Sequence, residues 1–315
     1  MDATQARGRT KARHGARIVV GVVGATLVAI VAVWLVVRPG APETTTMPRP
    51  EAPDETTTLA DHGVVGELWL PAATEDPVPA VVILGGSEGG LPWSWIASAF
   101  APEGIATLSI ALFDHPGLPD RLLELPLEQV VAGVEHLRSR PEVDGDRIWL
   151  IGISRGSEAV MLTAIEHPGL VHGVVASVPG SAAVCGLPCD GPAWTIGGEG
   201  VPSTRLYGAT EPRDHPDAAI PVQDLQGRLV TICGGEDEVW PSCRHASALQ
   251  ERREQAGVTE RDRHFAYEQA GHSVGIMAHV PRIVPARVFG PDEVARRDLW
   301  PQLIEILHDE DHAAG

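Results

Sequence analysis

Three side chains suited to acyl transfer stand in this sequence in the order nucleophile, acid, base: Ser154, Asp237 and His272. Ser154 lies in Gly152-Ile153-Ser154-Arg155-Gly156, after the apolar block Ile148–Ile151 and before the helix-forming run Ser157–Glu166. Strand, G-x-S-x-G and helix together make the setting of a nucleophile elbow. A serine on so tight a turn needs nearly absent neighbours two residues away, and Gly152 and Gly156 meet that need. On its own the pentapeptide also suits an ordinary strand-to-helix turn, so the acid and the base must decide.

The acid is expected in Gly234-Gly-Glu-Asp-Glu-Val-Trp240, a loop at the end of the apolar run Arg228–Cys233. Asp237, three residues past the first glycine, is chosen over Glu236 and Glu238. The base is expected in Gln269-Ala-Gly-His-Ser-Val-Gly275. Of thirteen histidines, His272 is the one directly after an expected strand in a glycine-flanked loop near the chain's end. His136, His167, His245 and His308 read as residues on helix surfaces or ends. In this order His272 would take the Ser154 proton, and Asp237 would hold the imidazole tautomer. The oxyanion would be met by two backbone N–H groups, of Arg155 and of Ser87 in the glycine-rich loop Gly85–Leu91.

Elements that could position these residues alternate regularly. Strands are expected at Val64–Leu70, Ala80–Leu84, Ala106–Ala111, Ile148–Ile153, Gly173–Val178, Arg228–Cys233 and Arg263–Glu268. Helices are expected at Trp93–Ala101, Pro126–Ser139, after Ser154, at Ala246–Gln255 and at Asp292–His308. That alternation predicts an α/β class with a doubly wound, mostly parallel sheet. Residues 179–227, rich in Gly and Pro without a period, read as a small cap insertion. Trp93 and Trp240, with Trp95 and Trp194, are candidates to line a substrate pocket, though several of these would equally serve the core.

Before this body, residues 18–37 run for a full membrane thickness without a charge. Arg7, Arg9, Lys11, Arg13 and Arg17 precede them, and Arg38 comes directly after. The distribution predicts one transmembrane helix, a basic N-terminus (1–17) in the cytoplasm and an extracytoplasmic body. Length and the succeeding Arg38-Pro39 favour an uncleaved anchor, with a cleaved signal peptide as the alternative. Residues 38–58, rich in Pro, Thr and acid, read as an extended tether, and the body is expected over 59–315. The formal net charge is −18, with 42 acidic against 24 basic residues. Such a surface excludes nucleic acid as a partner. Neither a dinucleotide nor a phosphate-loop fingerprint appears, and no cofactor or metal is expected. Cys185 and Cys189 suit a short disulfide loop in an oxidising compartment. Cys233 and Cys243 suit either a bridge bracing the acid loop or two buried thiols.

The body resembles the C-terminal catalytic domain of acyl-CoA thioester hydrolases and bile acid-CoA:amino acid N-acyltransferases. The matching stretches are Leu84–Leu91, Leu125–Glu128, Leu137–Val143, Gly152–Glu158, Gly234–Trp240 and Ala270–His272. The resemblance implies an α/β-hydrolase fold with Ser154, Asp237 and His272 as nucleophile, acid and base. In the amidating branch of that family the nucleophile is cysteine, so the serine here implies hydrolysis. The implied substrate is an acyl thioester. An extracytoplasmic body leaves open a carboxylic ester of the dienelactone-hydrolase type or a peptide, and a binding module without catalysis is the reading from another class.

Overall fold

A computed structural model of the chain describes residues 53–59, 64–72, 75–205, 216–278 and 290–309. Eight strands form one sheet: β1 (Glu55–Leu59), β2 (Val64–Trp69), β3 (Val78–Leu84), β4 (Ala106–Ala111), β6 (Val143–Ile153), β7 (Gly173–Ser177), β10 (Arg228–Gly234) and β11 (Arg263–Tyr267). Their order is β1-β2-β4-β3-β6-β7-β10-β11. All pairings from β4 to β11 are parallel, and β2 runs antiparallel to both its neighbours. The central strands are fully buried apolar runs, as a sheet covered on both faces requires. One face carries helices α2 (Glu128–Arg138), α3 (Arg155–Glu166) and α4 (Ser242–Ala256). Leu137, Val160 and Leu249 pack there with the strands. On the other face lie α1 (Ser94–Phe100) and α5 (Pro291–His308), joined to the sheet through Phe100, Trp149 and Leu303.

The topology places the site. From the centre, the chain after β3 turns to β4 on one side, and β6 lies on the other. The loops leaving β3 and β6 therefore part company at a crevice, where α/β sheets place their ligands. Leu84 is in register with Gly152, so the loop after β3 starts beside the turn after β6.

Two differences from the sequence expectation have physical causes. The body starts earlier than residue 59, because Glu55–Leu59 forms the edge strand β1 against β2. Asp54 continues the tie, accepting the Leu70 N–H at 2.7 Å. The β-branched Thr56, Thr57 and Thr58 favour extended chain, and a polar edge strand lacks the apolar signature that marks a central one. Secondly, His245 is 2 % exposed and belongs to the interior. Its Nδ1 accepts the Ser181 backbone N–H at 3.0 Å. The segment between β7 and β10 holds β8 (Trp194–Ile196) and β9 (Glu199–Gly200), which form a small second sheet with β5 (Leu125–Pro126). Both cysteine pairs are bridged, Cys185 to Cys189 and Cys233 to Cys243. The expected anchor at 18–37 lies outside the described residues. Among those described, no helix is long and apolar enough to cross a membrane.

Backbone packing makes two glycines respond oppositely to the same change. A Cβ on Gly156 would sit 2.2 Å from the Gly85 carbonyl oxygen, and backbone cannot yield there. Gly156→Ala should therefore cost at least about 3 kcal/mol. At Gly133, inside α2, an added Cβ would meet only side chains at 3.5 Å or more. Gly133→Ala should stabilise by about 0.5–1 kcal/mol, the penalty that glycine imposes on a helix interior. Denaturant unfolding of both variants checks the pair; a destabilised Gly133→Ala or a tolerated Gly156→Ala would contradict this packing.

His245 makes a prediction in pH. Burial, aided by the Arg244 charge and only partly opposed by Asp237, lowers its pKa from 6.5 to about 4. The folded protein thus binds the proton more weakly than the unfolded chain does. The contribution is complete above pH 6.5 and is lost as pH falls toward 4, by about 3 kcal/mol in all. Unfolding free energies measured at pH 7 and pH 4.5 should differ less in His245→Gln than in the parent. An equal slope in both would remove His245 as the source.

Candidate active site

The β6-to-α3 turn brings Ser154 to φ 54°, ψ −120°, a conformation rare for a residue with a side chain. Strand and helix force it together. A Cβ on Gly152 would lie 2.3 Å from the Gly156 carbonyl oxygen, and Gly156 is itself pressed on Gly85. The turn thus projects Ser154 from the carboxyl end of the sheet. The Ser154 N–H is donated to the Ser177 carbonyl at 2.9 Å.

The acid and the base meet. His272 Nδ1 lies 2.9 Å from both carboxylate oxygens of Asp237. The Asp237 side chain is 1 % exposed and that of His272 19 %. Asp237 Oδ1 also accepts the N–H groups of Val239 and Trp240, at 3.0 and 3.2 Å. Burial alone would raise the Asp237 carboxyl. Hydrogen bonds from His272 and Ser242, the charge on His272 and the Trp240 N–H outweigh it and hold the carboxyl below its ordinary range. Glu238, the neighbour not chosen as the acid, accepts the His272 backbone N–H at 3.2 Å. It fixes the base's backbone and leaves the ring to Asp237. The Cys233–Cys243 bridge spans the two ends of this acid loop.

Ser154 stands at the end of β6, on the same carboxyl end of the sheet from which the Asp237 and His272 loops leave. Among the described residues no hydrogen bond joins its Oγ to His272, a contact that in many unliganded hydrolases tightens only with substrate. The loop after β3 passes close to it at Gly86, where an added Cβ would lie 3.0 Å from the Ser154 Cβ. The Gly86 N–H is donated to Glu88 Oε1 at 3.0 Å. Ser87, the expected second oxyanion donor, is the next residue along.

The aromatic candidates separate. Trp93 turns its indole N–H onto Glu88 and packs on the core formed with α1. Trp240 is buried, donates its Nε1 to the Val178 carbonyl at 3.1 Å, and stands edge-on to His272 with ring centroids 6.0 Å apart. Its role here is to brace the base.

Sequence reasoning misses the ion pair in the first turn of α3, directly after Ser154. It values Arg155 for its N–H alone, yet the side chain is 1 % exposed and pairs with Glu158 at 2.7 Å. Arg155 also donates to the carbonyls of Val184 and Cys185, at 2.7 and 3.0 Å. Glu158 accepts the Val184 N–H at 3.2 Å and the Trp194 Nε1 at 3.0 Å. Burial pushes the Glu158 carboxyl up, and the Arg155 charge with these hydrogen bonds pulls it back. The signal that could reveal the pair is Arg155 and Glu158 three apart on one helix face in an otherwise apolar helix. No group of three or more His, Cys, Asp or Glu among the described residues is placed to hold a metal ion.

Known proteins share this arrangement of sequence and fold. The domain family described as BAAT / acyl-CoA thioester hydrolase C terminal matches residues 201–280, which include Asp237 and His272. Acyl-coenzyme A thioesterase 1 of Rattus norvegicus is 29% identical over 263 residues, covering 76% of this chain and 62% of the rat protein. The rat acyl-coenzyme A amino acid N-acyltransferase 2 is 28% identical over 69% of this chain and 53% of its own length. The chain thus spans roughly three-fifths or less of these relatives. Among solved structures, a putative dienelactone hydrolase from Klebsiella pneumoniae aligns with a TM-score of 0.53 at 17% identity, over 78% of this chain and 92% of that one. An alpha/beta hydrolase from a deep-sea metagenome aligns at 0.56 and 15% identity, over 80% of this chain and 97% of that one. These two likenesses concern the fold. By the domain match over residues 201–280 and the curated relatives, this chain is similar to the BAAT / acyl-CoA thioester hydrolase C-terminal family, and its fold is like that of α/β-hydrolases.

Proposed function

We propose that the protein is a serine hydrolase that cleaves acyl thioesters through an acyl-enzyme on Ser154. The observation that carries this reading is the imidazole of His272 held by both oxygens of a buried Asp237, with Ser154 on a strained turn at the same sheet edge. His272 Nε2 takes the proton as Ser154 Oγ attacks the acyl carbon. The Arg155 N–H, with one from the loop after β3, stabilises the oxyanion. Collapse breaks the carbon–sulfur bond, and the thiol leaves with the proton returned by His272. Water, deprotonated by the same imidazole, then releases the carboxylic acid and frees Ser154.

The thioester preference rests on the relatives, named as acyl-coenzyme A thioesterases. A second reading, an oxygen ester of similar acyl chains, is favoured by a separate observation. All four cysteines are paired, as suits an oxidising compartment, and acyl-CoA is a cytosolic metabolite. We place the body outside the cytoplasm behind an anchor at 18–37, on the charge distribution around that segment.

Activity of the full chain in detergent, measured on an acyl-CoA series and on matched oxygen esters, tests the reaction. Ser154→Ala should abolish turnover of whichever series is accepted, and Asp237→Asn should lower kcat by about 10³- to 10⁴-fold. Turnover that survives Ser154→Ala would refute the nucleophile. Acceptance of oxygen esters alone would keep the triad and discard the thioester. For compartment, thiol alkylation of the unreduced protein taken from cells should add no label, and reduction should expose four sites. Full labelling before reduction would overturn the extracytoplasmic assignment.

A further inference from the structure

Ser177 ends β7, between β6, which delivers the nucleophile, and β10, which delivers the acid loop; it is in register with both Ile153 and Ile232. It is fully buried. Its carbonyl accepts the Ser154 N–H at 2.9 Å. Its hydroxyl donates to the Gly275 carbonyl at 3.0 Å, and Gly275 lies in the turn His272–Ile276 that begins with the base. One residue therefore grips the nucleophile by its backbone and the base-bearing turn by its side chain.

Its neighbour completes the junction. Val178 holds φ 43°, an outlying conformation for a β-branched residue. From there its N–H reaches the Ile232 carbonyl at 2.7 Å, and its carbonyl accepts the Trp240 indole at 3.1 Å. Gly275 closes on it so tightly that an added Cβ would lie 2.5 Å from a Val178 methyl. A strained backbone that persists is one its surroundings over-determine, and such strain gathers where geometry serves function.

We propose that Ser177 is a positioning residue that sets the distance between Ser154 and His272, through its hydroxyl on the turn carrying the base. This inference rests on the triad proposed above. Neither group of Ser177 touches the reacting atoms. Losing the hydroxyl frees the His272 turn to shift against a nucleophile still anchored to β7. Attack at the acyl carbon depends on that distance, and a displacement of about 1 Å costs on the order of a hundred-fold. Binding of the acyl chain does not depend on it.

The test measures kcat and KM of full-length Ser177→Ala, per active site titrated with a fluorophosphonate probe. The expected result is a fall in kcat of about ten- to a hundred-fold, an equal fall in the rate of probe labelling, and KM within two-fold of the parent. A residue that merely supports the fold would lower the titrated fraction and leave kcat per labelled site unchanged, and that outcome overturns the proposal. If Ser177→Ala gives no folded protein, Gly275→Ala is measured in the same way. Its Cβ displaces the same turn, and an unchanged kcat per site there also overturns the proposal. Failure of the triad itself reads differently: Ser154→Ala would still label or turn over.

Discussion

The close approach of three backbone segments, at Gly85, Gly152 and Gly156, is the constraint on which the rest of the structure depends. Helix α3 starts with no side chain between it and the loop after β3, and the turn between Gly152 and Gly156 is compressed until only glycine fits at either end. That compression forces Ser154 into positive φ. Such strain is tolerated because the sheet around it is buried and hydrogen-bonded on both sides. Ile148 to Ile151 are fully buried, each strand neighbour is itself paired, and the turn has nowhere to relax.

The buried Arg155–Glu158 pair extends that rigidity to the segment between β7 and β10. Placing two charges in an apolar interior costs several kcal/mol per ion, and good geometry with further hydrogen bonds must offset it. Here the donors and acceptors are the backbone of Val184 and Cys185 and the indole of Trp194. The start of the short disulfide loop Cys185–Cys189 and the strand that comes after it are thereby tied to the helix that starts directly after Ser154. An insertion with little regular structure of its own takes its order from these bonds, since its second sheet contains only short strands. The same segment reaches the other side of the site through Ser181 and His245.

Features set by local pattern are the ones legible in the sequence. Buried parallel strands are continuous apolar runs, so β4 is readable over its full extent and most other strands within a few residues of their ends. Helix α4 is longer than its pattern, starting at Ser242, because the polar first turn gives no periodic signal. The pairing of Asp237 with His272 is legible because each stands in a glycine-bearing loop after a strand. The hidden features are non-local. Ser177 looks like any small residue ending a strand, and its importance appears only when β7 is set between β6 and β10. Trp93 and Trp240 have equal standing in the sequence as pocket candidates. Their hydrogen bonds, to Glu88 and to Val178, set them apart from each other, and the second depends on where distant chain segments come to rest. His245 escapes a sequence reading because a polar-faced helix suggests that every histidine on it is exposed.

In the reaction proposed above, the leaving group is the part of the substrate that the site residues constrain least. In that proposal Ser154, the oxyanion donors and the imidazole of His272 act on the acyl carbon's side of the reaction. The leaving group is met only by the proton that His272 returns. A thiol, with a pKa near about 8.5, leaves readily as the thiolate and asks little of that proton, whereas an alkoxide, far more basic, requires it. Asp237, with two oxygens on the ring, orients the imidazole both to take the proton from Ser154 and to hand it to the leaving group in the proposed reaction. The triad as proposed contains nothing that separates an oxygen ester from a thioester. Selection between them must arise outside the triad, from the surfaces that receive the leaving group and from the compartment that supplies it.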